Sequence, residues 1–433
     1  MSKNYAVAVL DIGTTGVRML VGRVGETGTP KIIAKADCSC RGGIKRIDEY
    51  DRGGIPDAIS NVLDSIKMKT GLDVRSCYVN LRNDYVYTVN NAGSVNIKED
   101  SDCITAGDIG ELLNDASAID LNDDERLIDV IPLMYYVDGK ASKERPEGVP
   151  GNRLSVDSNV VLAKNSKLEK VEKILKDAGL SVDGYVPSFF SEQKVLPSAY
   201  FNKTAGKPCF TLVADVGGDF TEYSLFYNGI PFSFGLHNFG GNSITKDLSI
   251  VLNISMNEAE RLKLDYPIAS SVTPGTDVEI AIFPLEKGEK EMVNVSYVVE
   301  IMQARLKEIA SNVIDCAKKD LINMGISTPC IDRIVFVGEG IARFSGIREA
   351  LEDVAGGAEL EVLNIGRDIG MKNSYSVATG MLLYIAPNLK YGRSPSRIVK
   401  EVTEEKHEEQ EQKKSFVASI ADKIKSWFSL FKE

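Results

Sequence analysis

Val9-Leu10-Asp11-Ile12-Gly13-Thr14-Thr15-Gly16-Val17-Arg18-Met19-Leu20-Val21-Gly22 is an apolar run, a small polar turn and a second apolar run. The pattern predicts a β-hairpin with a carboxylate, Asp11, standing before the turn. Gly13 and Gly16 permit backbone conformations that a side chain would forbid, and Thr14 and Thr15 add two hydroxyls. Such a turn admits two readings. Gly and Thr are ordinary turn residues, and a hairpin needs no function to contain them. The same turn also offers successive backbone N–H groups to a phosphate, with Asp11 placed to hold a water on a metal ion.

A second stretch repeats the plan. Leu212-Val213-Ala214-Asp215-Val216-Gly217-Gly218-Asp219-Phe220-Thr221-Glu222-Tyr223-Ser224-Leu225-Phe226 again reads strand, Asp-x-Gly turn, strand. Two such hairpins, one opening each half of the chain, resemble the paired turns of the actin, sugar-kinase and heat-shock chaperone superfamily, whose two halves clamp a nucleotide. The resemblance rests on the pair, not on either turn alone.

At 433 residues the chain exceeds one ordinary core, which predicts two domains or one two-lobed unit, and 43% apolar content suffices to pack them. A net charge of -11 argues against general nucleic-acid binding. The seven cysteines are scattered, with no C-x-x-C pair for zinc or redox work, and read as free thiols buried in a reducing cytoplasm. The two histidines, His237 and His407, cannot complete a Ser/His/Asp or metal constellation. Met1-Ser2-Lys3-Asn4-Tyr5 leads straight into a strand pattern without a signal peptide, and the chain lacks the run of about eighteen apolar residues that spans a bilayer, so a cytoplasmic body is expected.

Residues 31–39 read as a strand, residues 55–69 as a helix with Ile55, Ala58, Ile59, Val62, Leu63 and Ile66 at helical spacing, and residues 74–79 as a strand. The alternation is α/β. From about residue 81 to 164 the texture changes. Thr105 caps a helix through Ala116, residues 126–139 form a strand closed by Asp138-Gly139, and a Pro146-Glu147-Gly148-Val149-Pro150-Gly151-Asn152-Arg153-Leu154 loop leads into an alternating strand. This segment carries no catalytic cluster. The run from Ile131-Pro132 to Val137-Asp138-Gly139, followed by Pro146-x-Gly148-x-x-Gly151-x-Arg153-Leu154, is similar to the inserted subdomain of FtsA, the bacterial cell-division actin homologue. The helix from Leu168, ended by Gly179, resembles FtsA as well.

In the second half Phe239-Gly240-Gly241-Asn242-Ser243 is a Gly-Gly turn leading into a helix, and residues 256–264 form another helix on which Glu260 and Lys263 face one side. Glu260 and Lys263 read either as a surface ion pair or, by the resemblance, as contacts to the ribose and adenine of a nucleotide. Residues 297–324 form a long helix with Val298, Ile301, Met302, Leu306, Ile309, Ala310, Val313 and Ile314 on its apolar face. Residues 331–340 run from a strand into the turn holding Gly338 and Gly340, the adenosine-contacting loop by the resemblance, and Phe344-Ser345-Gly346-Ile347 begins the next helix. Residues 374–384 resemble the family's closing helix.

The sequence also departs from the family pattern. Asp219, Phe220 and Glu222 replace a Gly, a Thr and an Asp of the second phosphate turn; Glu339 stands where a second Gly is usual; Val186 replaces the Glu before Pro187. A displaced shell around the phosphates costs rate before binding.

Residues 400–414 carry six glutamates and no aromatic, the composition of a disordered linker. Residues 415–431 then place Phe416, Ile420, Ile424, Trp427, Phe428 and Phe431 on one helical stripe, with Lys413, Lys414, Lys423, Lys425 and Lys432 beside it. This predicts an amphipathic helix in a membrane interface, the alternative being that the stripe docks on the protein's own body or on a partner.

Taken together, the resemblance implies an α/β, actin-like two-lobed fold with an FtsA-type inserted subdomain. Its segments are the first lobe (1–80 and 165–205), the insertion (81–164), the second lobe (206–242 and 324–390), its small subdomain (243–323), a linker (391–414) and a membrane helix (415–433). It further implies ATP and Mg2+ held by Asp11, Gly13, Thr14, Thr15, Asp215, Gly217, Gly218, Gly241, Glu260, Lys263, Gly338 and Gly340, with Asp11 and Asp215 on the metal side and at most slow ATP turnover. The implied role is a scaffold on the cytoplasmic face of the cell membrane at the division site. There it would polymerise with itself and anchor FtsZ, whose tail would dock on residues 243–323. The rivals are a phosphotransferase of the same superfamily and a pilus-assembly actin homologue.

Overall fold

The computed structural model describes residues 5–25, 28–40, 54–97, 103–201, 209–270, 275–285, 289–368, 370–389 and 397–400. These form two compact units, one drawn from residues 5–12, 16–191 and 378–400, the other from residues 13–15 and 192–377.

The first unit opens with β1 (Tyr5–Ile12), β2 (Gly16–Val24) and β3 (Pro30–Ser39), then α1 (Ile55–Thr70), β4 (Leu72–Val74) and β5 (Ser76–Leu81). The predicted hairpin forms: β1 and β2 pair antiparallel from Tyr5↔Val24 to Ile12↔Val17. Residues 7–12 of β1 are all buried, as in a strand covered on both faces. Helix α1 buries Ile55, Ala58, Ile59, Val62 and Ile66, with Leu63 only partly covered, and ends at Gly71 in the left-handed region.

The insertion follows as β6 (Val86–Asn96), α2 (Ala106–Ala116), β7 (Glu125–Val137), β8 (Lys140–Ser142) and β9 (Arg153–Lys164). Its antiparallel sheet has the order β6-β9-β7-β8. Ile97, Ile104, Ile109, Leu112, Ala116, Tyr135, Val137, Leu154 and Val156 give it a core of its own. Thr105 caps α2 in a reciprocal box with Asp108. At the Asp138-Gly139 turn the Asp138 carboxylate accepts the Asn152 and Arg153 N–H groups at 3.1 and 2.9 Å, fastening the loop that precedes β9. Then come α3 (Asn165–Asp177), β10 (Ser181–Pro187) and α4 (Ser188–Val195), and the main sheet reads β10-β5-β1-β2-β3.

The second unit contains β11 (Phe210–Val216), β12 (Thr221–Tyr227), β13 (Ile230–His237), α5 (Gly241–Val251), α6 (Met256–Asp265), β14 (Glu279–Ile282), β15 (Glu291–Asn294), α7 (Val295–Asn323), β16 (Arg333–Val337), α8 (Ile347–Ala355), β17 (Glu359–Val362) and α9 (Ile365–Asp368). Its main sheet, β13-β12-β11-β16-β17, repeats the first unit's topology: an antiparallel three-strand meander whose first strand pairs in parallel with a later strand, which in turn pairs in parallel with another. Helix α7 buries Val298, Met302, Leu306, Ile309, Ala310, Val313 and Ile314 in the core of this unit, while Ile301 is partly buried against it.

The chain crosses to the second unit within α4 and returns within α10 (Ser376–Asn388), after which β18 (Ile398–Lys400) closes the described part. The single strand expected over residues 74–79 is two strands. The break falls at Arg75, where the pairing partner changes. β4 pairs antiparallel with β18, whereas β5 pairs in parallel with β1 and β10. Arg75 N–H donates to the Arg397 carbonyl at 2.8 Å, and its own carbonyl accepts the Ser181 N–H at 3.1 Å. Arg397 N–H donates to Ser76 Oγ at 2.8 Å and its guanidinium to the Ser181 hydroxyl. All seven cysteines are free, but only Cys40, Cys77 and Cys209 are buried, and Cys330 is exposed. Among the described residues no helix is long and apolar enough to cross a membrane.

Candidate functional site

Asp11 lies one residue from the end of β1, directly across the hairpin from Arg18. Both side chains are mostly buried and Arg18 Nη1 stands 3.6 Å from Asp11 Oδ2, while it also donates to the Gly16 carbonyl at 3.0 Å. Burial pushes the Asp11 carboxyl up to about 6, against the opposing pull of Arg18. The next residue is fixed too, since Ile12 N–H donates to Asn80 Oδ1 on β5 at 2.9 Å. The turn residues Gly13, Thr14 and Thr15 group with the second unit. There a Cβ on Gly218 would come within 2.5 Å of Thr14 Oγ1 and 2.9 Å of Thr15 Cγ2, so only glycine lets the two turns approach this closely.

Three turns of the second unit meet at Asp215. After β11 the Gly217 N–H donates to the Phe220 carbonyl at 2.9 Å, closing the turn before β12. The start of α5 is bonded onto this turn: Gly241 N–H reaches the Gly217 carbonyl at 2.9 Å and Asn242 N–H the Gly218 carbonyl at 2.7 Å. The turn after β16 joins them, with Gly340 N–H donating to the Val216 carbonyl at 2.8 Å. Gly338 holds φ at 94°, and a Cβ there would strike Asp215 Oδ1 and come within 2.5 Å of the Val216 carbonyl oxygen. Asp219 is held by Asn242, whose Nδ2 donates to its Oδ1 at 2.9 Å. Glu339 accepts from Arg343 Nη2 at 3.2 Å.

Glu260 and Lys263 on α6 form more than a surface pair. Lys263 Nζ is 2.7 Å from Glu260 Oε2, and its side chain is only 12% exposed. It also donates to the Gly241 carbonyl at 3.1 Å and to Thr245 Oγ1 at 2.8 Å, while the Thr245 hydroxyl donates to Glu260 Oε2 at 2.5 Å. The pair is thereby fastened to the first turn of α5. Thr245 and Asn242 were not singled out in the sequence. Their places four and one residues after Gly241 in a helix are the available signal.

The register of the second hairpin sets Asp215 opposite Glu222. Glu192, on α4 and fully buried, is held well above the ordinary carboxylate range, by burial first, then by the carboxylates of Glu222 and Asp215, with the Ser224 hydroxyl opposing. No sequence pattern marks Glu192. The second unit therefore gathers Gly13, Thr14, Thr15, Asp215, Gly217, Gly218, Gly241, Glu260, Lys263, Gly338 and Gly340, while Asp11 belongs to the first. Phe416, Ile420, Ile424, Trp427, Phe428 and Phe431 lie outside the described residues. Chemically, the second unit brings together glycine turns, the hydroxyls of Thr14 and Thr15 and the carboxylates of Asp215 and Glu222. Facing carboxylates at Asp215 and Glu222 suit a hard divalent cation, and glycine turns suit phosphate oxygens.

Residues 84–162 match the family profile described as SHS2 domain inserted in FTSA, and residues 212–414 match the one described as Cell division protein FtsA. The Cell division protein FtsA of Borreliella burgdorferi is 24% identical over 440 residues, covering 99% of this chain and 99% of its own. That of Enterococcus faecalis is 28% identical over 316 residues, covering 71% of this chain and 69% of its own. Among solved structures, a chain of the PilM-PilN type IV pilus biogenesis complex superimposes with a TM-score of 0.52 at 16% identity, over 88% of this chain and 98% of that one, a likeness of fold.

Proposed function

The chain belongs to the FtsA family of cell-division proteins, with an actin-like α/β fold and the inserted subdomain, and on that premise we propose that it is a nucleotide-binding scaffold that anchors FtsZ filaments to the cytoplasmic face of the cell membrane at the division site. The observation that carries the nucleotide part is the convergence of three glycine turns on Asp215, bordered by the fastened Glu260 and Lys263 pair. In this reading Gly13, Thr14, Thr15, Gly217 and Gly218 receive the phosphates of ATP. Gly241, Glu260 and Lys263 receive the ribose and adenine, and Gly338 and Gly340 the adenosine. Asp11 and Asp215 hold Mg2+ through its waters. The magnesium ion, when bound, neutralises phosphate charge. Asp219, Glu339 and Val186 displace the remaining shell, so turnover is slow while binding persists. Calorimetry of the full chain with Mg-ATP is expected to show saturable heat with little hydrolysis. No heat and no thermal shift would make the site vestigial, and rapid turnover would favour a phosphotransferase.

The scaffold part rests on family membership and on the sequence of the tail. Self-assembly into filaments, docking of the FtsZ tail on residues 243–323 and membrane binding through residues 415–433 are its three elements. Basic residues near an anionic surface contribute about 1 kcal/mol each, so the five lysines at positions 413, 414, 423, 425 and 432 support reversible binding that assembly strengthens. Co-pelleting with FtsZ filaments, with and without anionic vesicles, tests the first two elements. Vesicle flotation of the full chain against one truncated after Pro387 and against Trp427→Glu tests the third; equal flotation of all three would remove the tether.

A further inference from the structure

Five apolar side chains of the second unit share one exposed corner. Ile250 and Val251 end α5, Met256 begins α6, and Phe283 and Leu285 follow β14; they are between 49% and 66% exposed. Backbone bonds hold them together. Leu285 N–H donates to the Asn253 carbonyl at 2.7 Å, and Phe283 N–H to Glu258 Oε1 at 3.1 Å, so the segment after β14 lies along the connection between α5 and α6. Apolar patches of this kind mark interaction sites. The surrounding sequence is acidic: residues 250–292 carry eight Asp and Glu against four Lys and Arg.

The chain itself holds the complementary piece. Phe416, Ile420, Ile424, Trp427, Phe428 and Phe431 recur at the spacing by which an amphipathic helix fills an apolar groove, and residues 413–433 carry five lysines against Asp422 and Glu433. The two pieces are covalently joined. Beyond Lys400, paired on β4, fourteen residues precede Ser415, a reach of up to about 50 Å. A covalent tether offers the segment to any surface within its reach, whatever the concentration of separate partners. We infer that, away from lipid, residues 415–431 dock their apolar stripe on the corner formed by Ile250, Val251, Met256, Phe283 and Leu285, and that anionic lipid competes for the same stripe. The helix is then withheld from non-specific contacts until a membrane draws it off. The lipid half of this inference rests on the tether proposed above, and the docking half does not.

Trp427 is the only tryptophan in the chain, so its emission reports this segment without a label. In the full chain without lipid, the emission is expected to be blue-shifted and protected from acrylamide relative to a peptide of residues 415–433. The double variant Phe283→Asp, Leu285→Asp should return both to the peptide's values and lower the vesicle concentration needed for half-binding two- to five-fold. Both side chains are more than half exposed, so the fold should persist; Ile250→Asp on α5 is the second variant should the first lose its cooperative melt. Emission equal to that of the peptide overturns the docking. Blue-shifted emission that no corner variant moves also overturns it, placing the stripe elsewhere. A shift that disappears on dilution overturns the intramolecular form in favour of a second copy. Loss of vesicle binding by Trp427→Glu is read separately: its absence defeats the tether and leaves the docking result standing.

Discussion

Asp11 and Asp215 hold the same place in two hairpins of one plan, yet Asp11 faces Arg18 across the strands while Asp215 faces Glu222. Opposite charges across a strand pair stabilise it, and like charges directly opposite destabilise it. Glu192 deepens the contrast by adding a buried carboxyl on the side of Asp215. The first hairpin thus carries its own counter-charge, whereas the second sets carboxyl against carboxyl. A shared backbone plan does not fix the electrostatics of a site; one cross-strand residue does.

The largest expected effect tests the backbone under the second hairpin. Gly338→Ala puts a side chain at φ 94° and against Asp215, and should destabilise the second unit by about 3 kcal/mol or more, seen as a fall in its thermal midpoint. A midpoint within a degree or so of the parent would mean that the turns meet less closely than described.

Next comes removal of the partner in the first hairpin. Arg18→Met leaves the buried Asp11 without its opposing charge, at an expected cost of about 1–3 kcal/mol near pH 8. Asp11 already holds its proton up to about 6, above the unfolded value of 3.8, so its ionisation lowers stability as pH rises through that window. Without Arg18 the window extends upward, and the variant should be nearly as stable as the parent near pH 4. A pH-independent loss would assign Arg18 a packing role only.

Glu192→Gln should act the other way. In the folded chain Glu192 keeps its proton well above the unfolded value of 4.5, so the folded state binds more protons there and stability declines with rising pH. The neutral isostere removes that decline, and is expected to stabilise by about 1 kcal/mol at pH 8 and by little at pH 4. Equal melting of variant and parent across the range would take Glu192 out of the contrast.

The smallest effect is the sharpest in sign. Glu222→Gln, the counterpart of Arg18→Met, should raise stability by about 0.2–1 kcal/mol without nucleotide, while shrinking the thermal shift given by Mg-ATP. Destabilisation by both partner substitutions would erase the difference between the hairpins.

Both hairpins were legible because glycines follow a carboxylate between two apolar runs, and the helices because their apolar spacing is regular. Arg75 was not: residues 74–79 contain neither Gly nor Pro, and the strand divides there because Arg397 and Ser181, both distant in sequence, claim its backbone. The anchoring of Lys263 by Thr245 and the Gly241 carbonyl depends on how α5 and α6 pack, which spacing within either helix does not reveal. Glu192 was invisible for the same reason, since a glutamate in a short helix acquires meaning only when strands carrying Asp215 and Glu222 pack beside it. The departures at Asp219 and Glu339 are visible as residues, but the bonds they make to Asn242 and Arg343 are not.

The pairing of β18 with β4 has a mechanical meaning. Any pull applied to the chain beyond Lys400 meets three paired residues, from Ile398↔Val74 to Lys400↔Leu72, together with the backbone and guanidinium bonds of Arg397. Tension therefore enters the first unit at β4 and leaves α10, the helix by which the chain returns from the second unit, outside the line of force. Should the clip yield, the load passes along the chain to the end of α10 at Asn388, so the pair works as a fuse in series with the body.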